Sequence, residues 1–410
     1  MSLKTQSPEM PKVTTTDAKA SHPAMANAKA HLGALIGFDT VSHRSNRDLI
    51  DHMAAHVKAL GAEVTLLPDA TGEKVNLVAR FGPADVAGVV LSGHTDVVPA
   101  LEETWVTPPF AMDERDGRIY GRGACDMKGF AACVMALVER MDVAALRRPL
   151  YLCFSYDEEV GCLGAPAIAK HLAALDVPPE LAIIGEPSNM QLVTGQKGKI
   201  AMRAHVAGTS GHSSFAPDHV NAVEFAGRAI SLISDRALRY GQEGPFDAEF
   251  TVPHATMLTT MISGGVATNV TPDTCSFTFE LRSISGMDPE RDMAALIAEV
   301  EAEVGAQMRA KSPASGITFE RIFAYPPMGE ARGTSGYERY AHLMPAWGGK
   351  VSYGSEGGVF ETLGKIPSVI VGPGSIEQAH KPNEFVELSQ IDACLRFLDA
   401  LAADLSKTQD

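Results

Sequence analysis

The 410-residue sequence predicts an α/β protein: a mostly parallel, doubly wound domain interrupted by an inserted ferredoxin-like βαββαβ unit. Three observations carry this reading. Short continuous apolar runs at 89–91, 149–155, 181–184 and 368–372 alternate with helix-length segments, the pattern of parallel strands buried on both faces. Each run is followed by histidine or acidic residues, and ligands of such sheets gather at the carboxyl ends of the strands. Between about 197 and 323 the pattern changes to alternating strands and amphipathic helices.

Residues 1–23 are rich in Lys, Thr, Ser and Pro, lack the apolar core of a signal peptide, and read as a loose arm. Residues 24–60 predict two helices broken around 38–42, and 63–67 and 75–79 predict short strands. The run at 89–91 stops at Gly93, and His94, Thr95 and Asp96 follow before Pro99. Residues two apart on a strand share a face, so His94 and Asp96 can enter one site, the carboxylate orienting the imidazole. The loop Gly121-Arg-Gly-Ala-Cys-Asp-Met-Lys-Gly129 leads into a helix-length apolar segment, 130–141. Its spacing is neither a P-loop nor a dinucleotide fingerprint, so Asp126, not a phosphate, is its point of interest.

The run at 149–155 leads into Asp157-Glu-Glu159, the run at 181–184 into Gly185-Glu186-Pro187, and the run at 368–372 into a loop carrying His380. Within 197–323, strands at 200–206, 256–262, 275–281 and 317–323 and helices at 221–239 and 288–308 follow the order of a split βαββαβ unit. The predicted organisation is therefore a first catalytic segment, 24–196, the insert, 197–323, and a second catalytic segment, 324–410.

A formal net charge of −15 argues against nucleic acid or an anionic membrane as partner. No apolar stretch is long enough to span a bilayer. The six cysteines are scattered without a CxxC pair, which suits a reducing compartment and a cytoplasmic protein.

Histidines and carboxylates at strand ends, without cysteine, suit zinc, cobalt or manganese. Two histidines and at least three carboxylates exceed the needs of one tetrahedral ion. A carboxylate bridging two ions about 3.5–4 Å apart would use them all. One carboxylate should stay off the metals as general base. Glu158 and Glu159 offer one residue for each duty, and the residues alone leave open which is which.

The segments Gly93-His-Thr-Asp-Val-Val-Pro99, 121–129, Asp157-Glu-Glu-Val-Gly161 and Gly185-Glu-Pro-Ser188 resemble successive motifs of the aminoacylase, acetylornithine deacetylase and succinyl-diaminopimelate desuccinylase family of metallohydrolases. The resemblance implies two zinc ions, replaceable by cobalt. His94, Asp126 and Glu186 would hold one ion; Asp126, Glu159 and His380 would hold the other. It further implies Glu158 as general base, Asp96 as partner of His94, and a cis peptide between Asp126 and Met127. His212, in Gly208-Thr-Ser-Gly-His-Ser-Ser214, resembles the residue that enters a neighbouring subunit's site to stabilise an oxyanion. That makes the insert a dimerisation and lid unit and the protein a homodimer. Asn269, in 264–269, and Arg282 resemble substrate contacts of the lid.

Segments 354–358 and 372–386 look most like acetylornithine deacetylase, with Ser355 and Gly357 departing from its usual Thr and Ala. Glu356 reads either as facing a cationic substrate side chain or as capping the next turn. The expected reaction is hydrolysis of a small N-acyl amino acid, N-acetylornithine giving ornithine and acetate. A desuccinylase, a general aminoacylase or a metal dipeptidase is the alternative. A non-catalytic binding module would show a broken ligand set, and here every motif position is filled.

Overall fold

The computed structural model describes residues 21–408. The expected loose arm falls mostly on residues 1–20, outside the described residues. Of its last three residues, His22 is anchored. His22 is buried, its main-chain N–H donates to Asp392 Oδ1 at 2.7 Å, and its Nε2 lies 3.0 Å from Asp399 Oδ2.

The first segment opens with helices α1 (Met25–Ile36) and α2 (Arg47–Ala59), then strands β1 (Glu63–Pro68), β2 (Val75–Phe81) and β3 (Val89–His94). A short hairpin, β4 (Asp113–Arg115) and β5 (Arg118–Tyr120), precedes α3 (Lys128–Val138). Then come β6 (Leu150–Ser155), α4 (Ala165–Ala173), β7 (Leu181–Ile184) and β8 (Leu192–Gln196). Every residue of α3 is buried, as expected of a helix that is apolar all round after its first residue, Lys128.

The inserted unit runs β9 (Gly198–Ala207), β10 (Gly211–His212), α5 (Ala222–Glu243), β11 (Thr256–Gly264), β12 (Val270–Thr271), β13 (Thr274–Ser283), α6 (Pro289–Val300), α7 (Ala306–Lys311) and β14 (Gly316–Tyr325). Its four long strands form an antiparallel sheet in the order β11-β13-β9-β14. In order of appearance that is 2-3-1-4, the split-βαβ arrangement the pattern predicted. The unit has a hydrophobic core of its own, built on Phe277, Phe279, Leu281, Ile233 and Leu296. The two-residue ribbon β10/β12 carries no periodicity to read and was not expected.

The chain then returns through α8 (Ser335–Tyr340), β15 (Trp347–Val351), the one-turn α9 (Gly357–Val359), β16 (Ser368–Ile370), β17 (Phe385–Glu387) and α10 (Leu388–Leu405). The large sheet has the order β1-β2-β6-β3-β7-β16-β8-β15. The centre, β6-β3-β7-β16, is parallel, and these are the four apolar runs. The outer pairs β1/β2 and β2/β6 are antiparallel.

Two glycines let the helix layer close on the strand ends. A Cβ at Gly93 would collide with the Met127 side chain, and one at Gly185 with the Phe130 ring. The start of α3 therefore packs directly against the ends of β3 and β7. That contact brings Asp126 beside His94 and Glu186.

Candidate metal centre

His94, Asp126, Glu158, Glu159, Glu186 and His380 converge at the carboxyl edge of the parallel strands. Two ligand groups emerge, His94/Asp126/Glu186 and Asp126/Glu159/His380, with the ligand atoms of each within 4.8 Å of one another. Asp126 belongs to both. Its Oδ1 lies 2.9 Å from His94 Nε2, and its Oδ2 lies 3.2 Å from His380 Nε2. One carboxylate thus turns one oxygen to each histidine. The Asp126–Met127 peptide is cis, as the resemblance implied.

His94 Nδ1 lies 2.9 Å from the main-chain carbonyl of Asp96. A carbonyl only accepts, so Nδ1 carries a hydrogen, and Nε2, the atom facing Asp126 and Glu186, is the one that could ligate a metal once its proton is displaced. Among the described residues no lysine or arginine pairs with Asp126, Glu158, Glu159 or Glu186; His94 and His380 are the cationic partners.

The protonation pattern states the same demand. Burial and the neighbouring Asp126 push Glu159 up to about 7, and the same two causes push Glu186 well above the ordinary carboxyl range. Burial, with Glu159 and Asp126, does likewise to Glu158. Burial opposes a charge on His94, yet its bonds to Asp126 and Asp96 outweigh it and hold the ring well up. Bonds to Asp126 and Glu159 raise His380 to about 10. Without cations the cluster collects protons; the donor set of two imidazoles and shared carboxylates fits two borderline divalent ions.

Asp96 does more than face His94. Its carboxylate lies 3.6 Å from His94 Nδ1 and accepts from Ser42 Oγ at 2.7 Å. It also accepts from the main-chain N–H groups of Glu158 at 3.0 Å and Glu159 at 3.3 Å. One buried carboxylate thereby fixes a metal-ligand candidate and the turn that presents the two glutamates.

The glycine-rich loop does hold an anion, and the anion is its own chain's. The fully buried Glu384 carboxylate accepts from the N–H groups of Gly123 (3.0 Å), Cys125 (2.8 Å) and Asp126 (3.0 Å), and from Arg122 Nη1 (2.8 Å). Sequence reasoning missed this residue. It lies in a segment singled out for resemblance, but nothing there pointed to a loop some 260 residues away in the chain.

A cleft of about 260 Å³ opens over the cluster, lined by Asp126, Glu158, Glu159, Glu186 and His380 on one side and by Lys199, Arg282, Phe323 and Tyr325 of the inserted unit on the other. Arg282 donates to Glu280 Oε1 and Tyr325 Oη, both at 3.0 Å, and Lys199 pairs with Glu280 Oε2 at 2.6 Å. Two cations share one carboxylate there, leaving positive charge toward the cleft. Lys199, Tyr325 and Tyr353 were not anticipated; Lys199 and Tyr325 could have been found as strand positions in register with Arg282.

Three sequence-predicted residues lie elsewhere. Glu356 does not reach the cleft, which corrects its reading as a substrate contact. It is buried beneath β3, accepting from Ser92 Oγ at 3.1 Å. Ser355 is pinned to Gln196 at the end of β8, which turns Glu356 inward. His212 and Asn269 sit together at the exposed β10/β12 ribbon, where Ser213 N–H donates to the Asn269 carbonyl at 3.0 Å. Neither lines the cleft of its own chain.

The pattern that defines "Peptidase family M20/M25/M40" matches residues 90–404. The chain belongs to this family. It is 33% identical over 359 residues to an acetylornithine deacetylase of Proteus mirabilis (strain HI4320), covering 86% of this chain and 89% of that protein. Its fold is similar to that of the aminopeptidase PepT of Bacillus cereus, with a TM-score of 0.70, 19% identity, and coverage of 93% of this chain and 99% of that one. A Bacillus subtilis protein described as a dinuclear metal-binding peptidase from the M20 family shares the fold at a TM-score of 0.63 and 14% identity, covering 92% and 97%. The M20 chain described here is thus a metallohydrolase of the amidohydrolase and peptidase type, and the converged ligand groups are its metal-binding cluster. No helix among the described residues is long and apolar enough to cross a membrane.

Proposed function

We propose that this M20 enzyme is a two-zinc deacetylase that hydrolyses the amide of an N-acetylated amino acid, N-acetylornithine foremost. The observation that carries the reading is Asp126, its two carboxylate oxygens divided between His94 and His380, with Glu158 beside it facing the cleft. His94, Asp126 and Glu186 would hold one ion, and Asp126, Glu159 and His380 the other. When bound, such a pair acidifies a water and polarises a carbonyl.

The chain supplies the rest. Glu158 takes a proton from the attacking water and returns it to the leaving amine, a role suited to a carboxyl whose burial raises its proton affinity. Arg282 and Lys199 receive the substrate's α-carboxylate across the cleft. The likeness to an acetylornithine deacetylase over most of both chains supports the acetyl group and the ornithine side chain. With Glu356 buried, recognition of a cationic side chain falls to other groups at the cleft.

The protein acts as a homodimer through the inserted unit. Edge strand β11 exposes Leu258, Met261 and Ile262, and the ribbon exposes Phe215 and Val266 nearby in sequence. Apolar edges of this kind are normally covered. The exposed His212 then reaches the partner's cleft and donates to the developing oxyanion.

A panel of N-acetyl, N-succinyl and N-formyl amino acids, with zinc or cobalt added, tests the substrate. N-acetylornithine should have the highest kcat/KM by at least about tenfold; a succinyl substrate or a dipeptide at the top would move the enzyme elsewhere in the family. Co-expression of His212→Ala with Glu158→Gln chains tests the trans role. The mixed dimer should recover activity that neither variant has alone, because one cleft then contains both an intact Glu158 and a donated His212. Absence of recovery would place His212 outside the partner's site.

A further inference from the structure

Three side chains at the far end of α3 form a second cluster of metal-ligating type. His31 projects from α1, His56 from α2, and Glu139 follows the last residue of α3. Their ligand atoms all lie within 4.8 Å of one another. His31 Nε2 is 3.0 Å from Glu139 Oε1, and His56 Nε2 is 3.4 Å from the same oxygen. Ligands about 2.0–2.2 Å from a tetrahedral ion stand roughly 3.3–3.6 Å apart, so His56 sits at ligand spacing from the Glu139 oxygen and His31 a few tenths of an ångström inside it. The rings meet edge to face with centroids 4.9 Å apart.

An ordinary hydrogen bond explains only half of this arrangement. His31 can donate to Glu139, but His56 Nε2 is shielded from solvent and has no hydrogen-bond partner among the described residues. Leaving a buried polar nitrogen unpaired is unfavourable. The other oxygen of Glu139 accepts from Asn27 Nδ2 at 2.6 Å, the outer support expected of a ligating carboxylate. The three side chains are each partly exposed, so the cluster lies near the surface.

We propose that His31, His56 and Glu139 bind a borderline divalent transition-metal ion, such as Zn²⁺, at a site separate from the cleft that ties together α1, α2 and α3. Glu139 lies eleven residues along from Lys128, about 16 Å from the cleft end of α3 at helical rise. Two imidazoles exclude calcium and magnesium as natural occupants.

The test equilibrates the full chain with Zn²⁺ in excess, removes free metal by gel filtration, and counts bound zinc per chain. Wild type is compared with His56→Ala and Glu139→Gln. Each variant should carry one ion fewer than wild type while keeping its hydrolysis rate. The result is a difference, so it does not depend on how many ions the cleft holds. If His56→Ala fails to fold, the near-isosteric Glu139→Gln still decides. Equal zinc in wild type and variants overturns the site, and so does a loss of zinc accompanied by loss of hydrolysis.

Discussion

Glu158→Gln should lower kcat on the order of 10²–10⁴-fold while metal content stays at the wild-type level. The amide fills the same space but cannot take a proton from water. Glu158 lines the cleft and belongs to neither ligand group. Its nearest bonded neighbour is Cys162, whose Sγ donates to Oε1 at 3.4 Å. Its main-chain N–H is held by Asp96, so the turn should keep its shape when the side chain is neutralised. KM should change little, because the α-carboxylate would be held by Arg282 and Lys199 on the inserted unit. Steady-state kinetics with N-acetylornithine measures both constants. A rate near wild type would remove Glu158 from the chemistry.

Glu384→Ala should cost about 3–5 kcal/mol of unfolding free energy, the range for breaking a buried ion pair by removing one partner. Arg122 and Glu384 are both almost fully buried. Truncation strands the guanidinium and frees three main-chain N–H groups of the loop that aims Asp126. The folded fraction should therefore also bind metal more weakly. Urea denaturation gives the first quantity and zinc titration at low denaturant gives the second. Glu384→Gln, which can still accept from the loop, should recover part of the metal affinity. Stability within about 1 kcal/mol of wild type, the size of one ordinary hydrogen bond, would contradict the role assigned to Glu384.

The parts of the fold that follow from local pattern were legible. The four parallel central strands are continuous apolar runs, and the insert's long strands and helices follow from their periodicity. His94, Glu159, Glu186 and His380 were legible because each follows such a run, and strand ends in this architecture meet; Asp126 was legible as the acidic residue of its glycine-rich loop. What escaped depends on contacts between distant segments. Glu384 works through a loop it meets only after folding. Glu356 read as facing a substrate side chain or capping the next turn, yet Gly357 and Gly358 pack against Met328 and Pro326, and the glutamate is carried inward. Asp96 was expected to orient His94, and its hold on the main chain of Glu158 and Glu159 has no sequence signature. The ribbon of His212 and Asn269 is two residues a side, too short for any period.

The most direct test of the central reading is the metal content of Glu158→Gln and Glu159→Gln, purified side by side and assayed at matched low free zinc. The two carboxylates are adjacent, and only Glu159 is within ligand distance of His380, at 2.9 Å. Glu158→Gln should hold as much zinc as wild type and remain inactive. Glu159→Gln should hold one ion fewer, with activity partly restored by excess metal. Equal loss in both variants, or loss only in Glu158→Gln, would contradict the assignment of base and ligand.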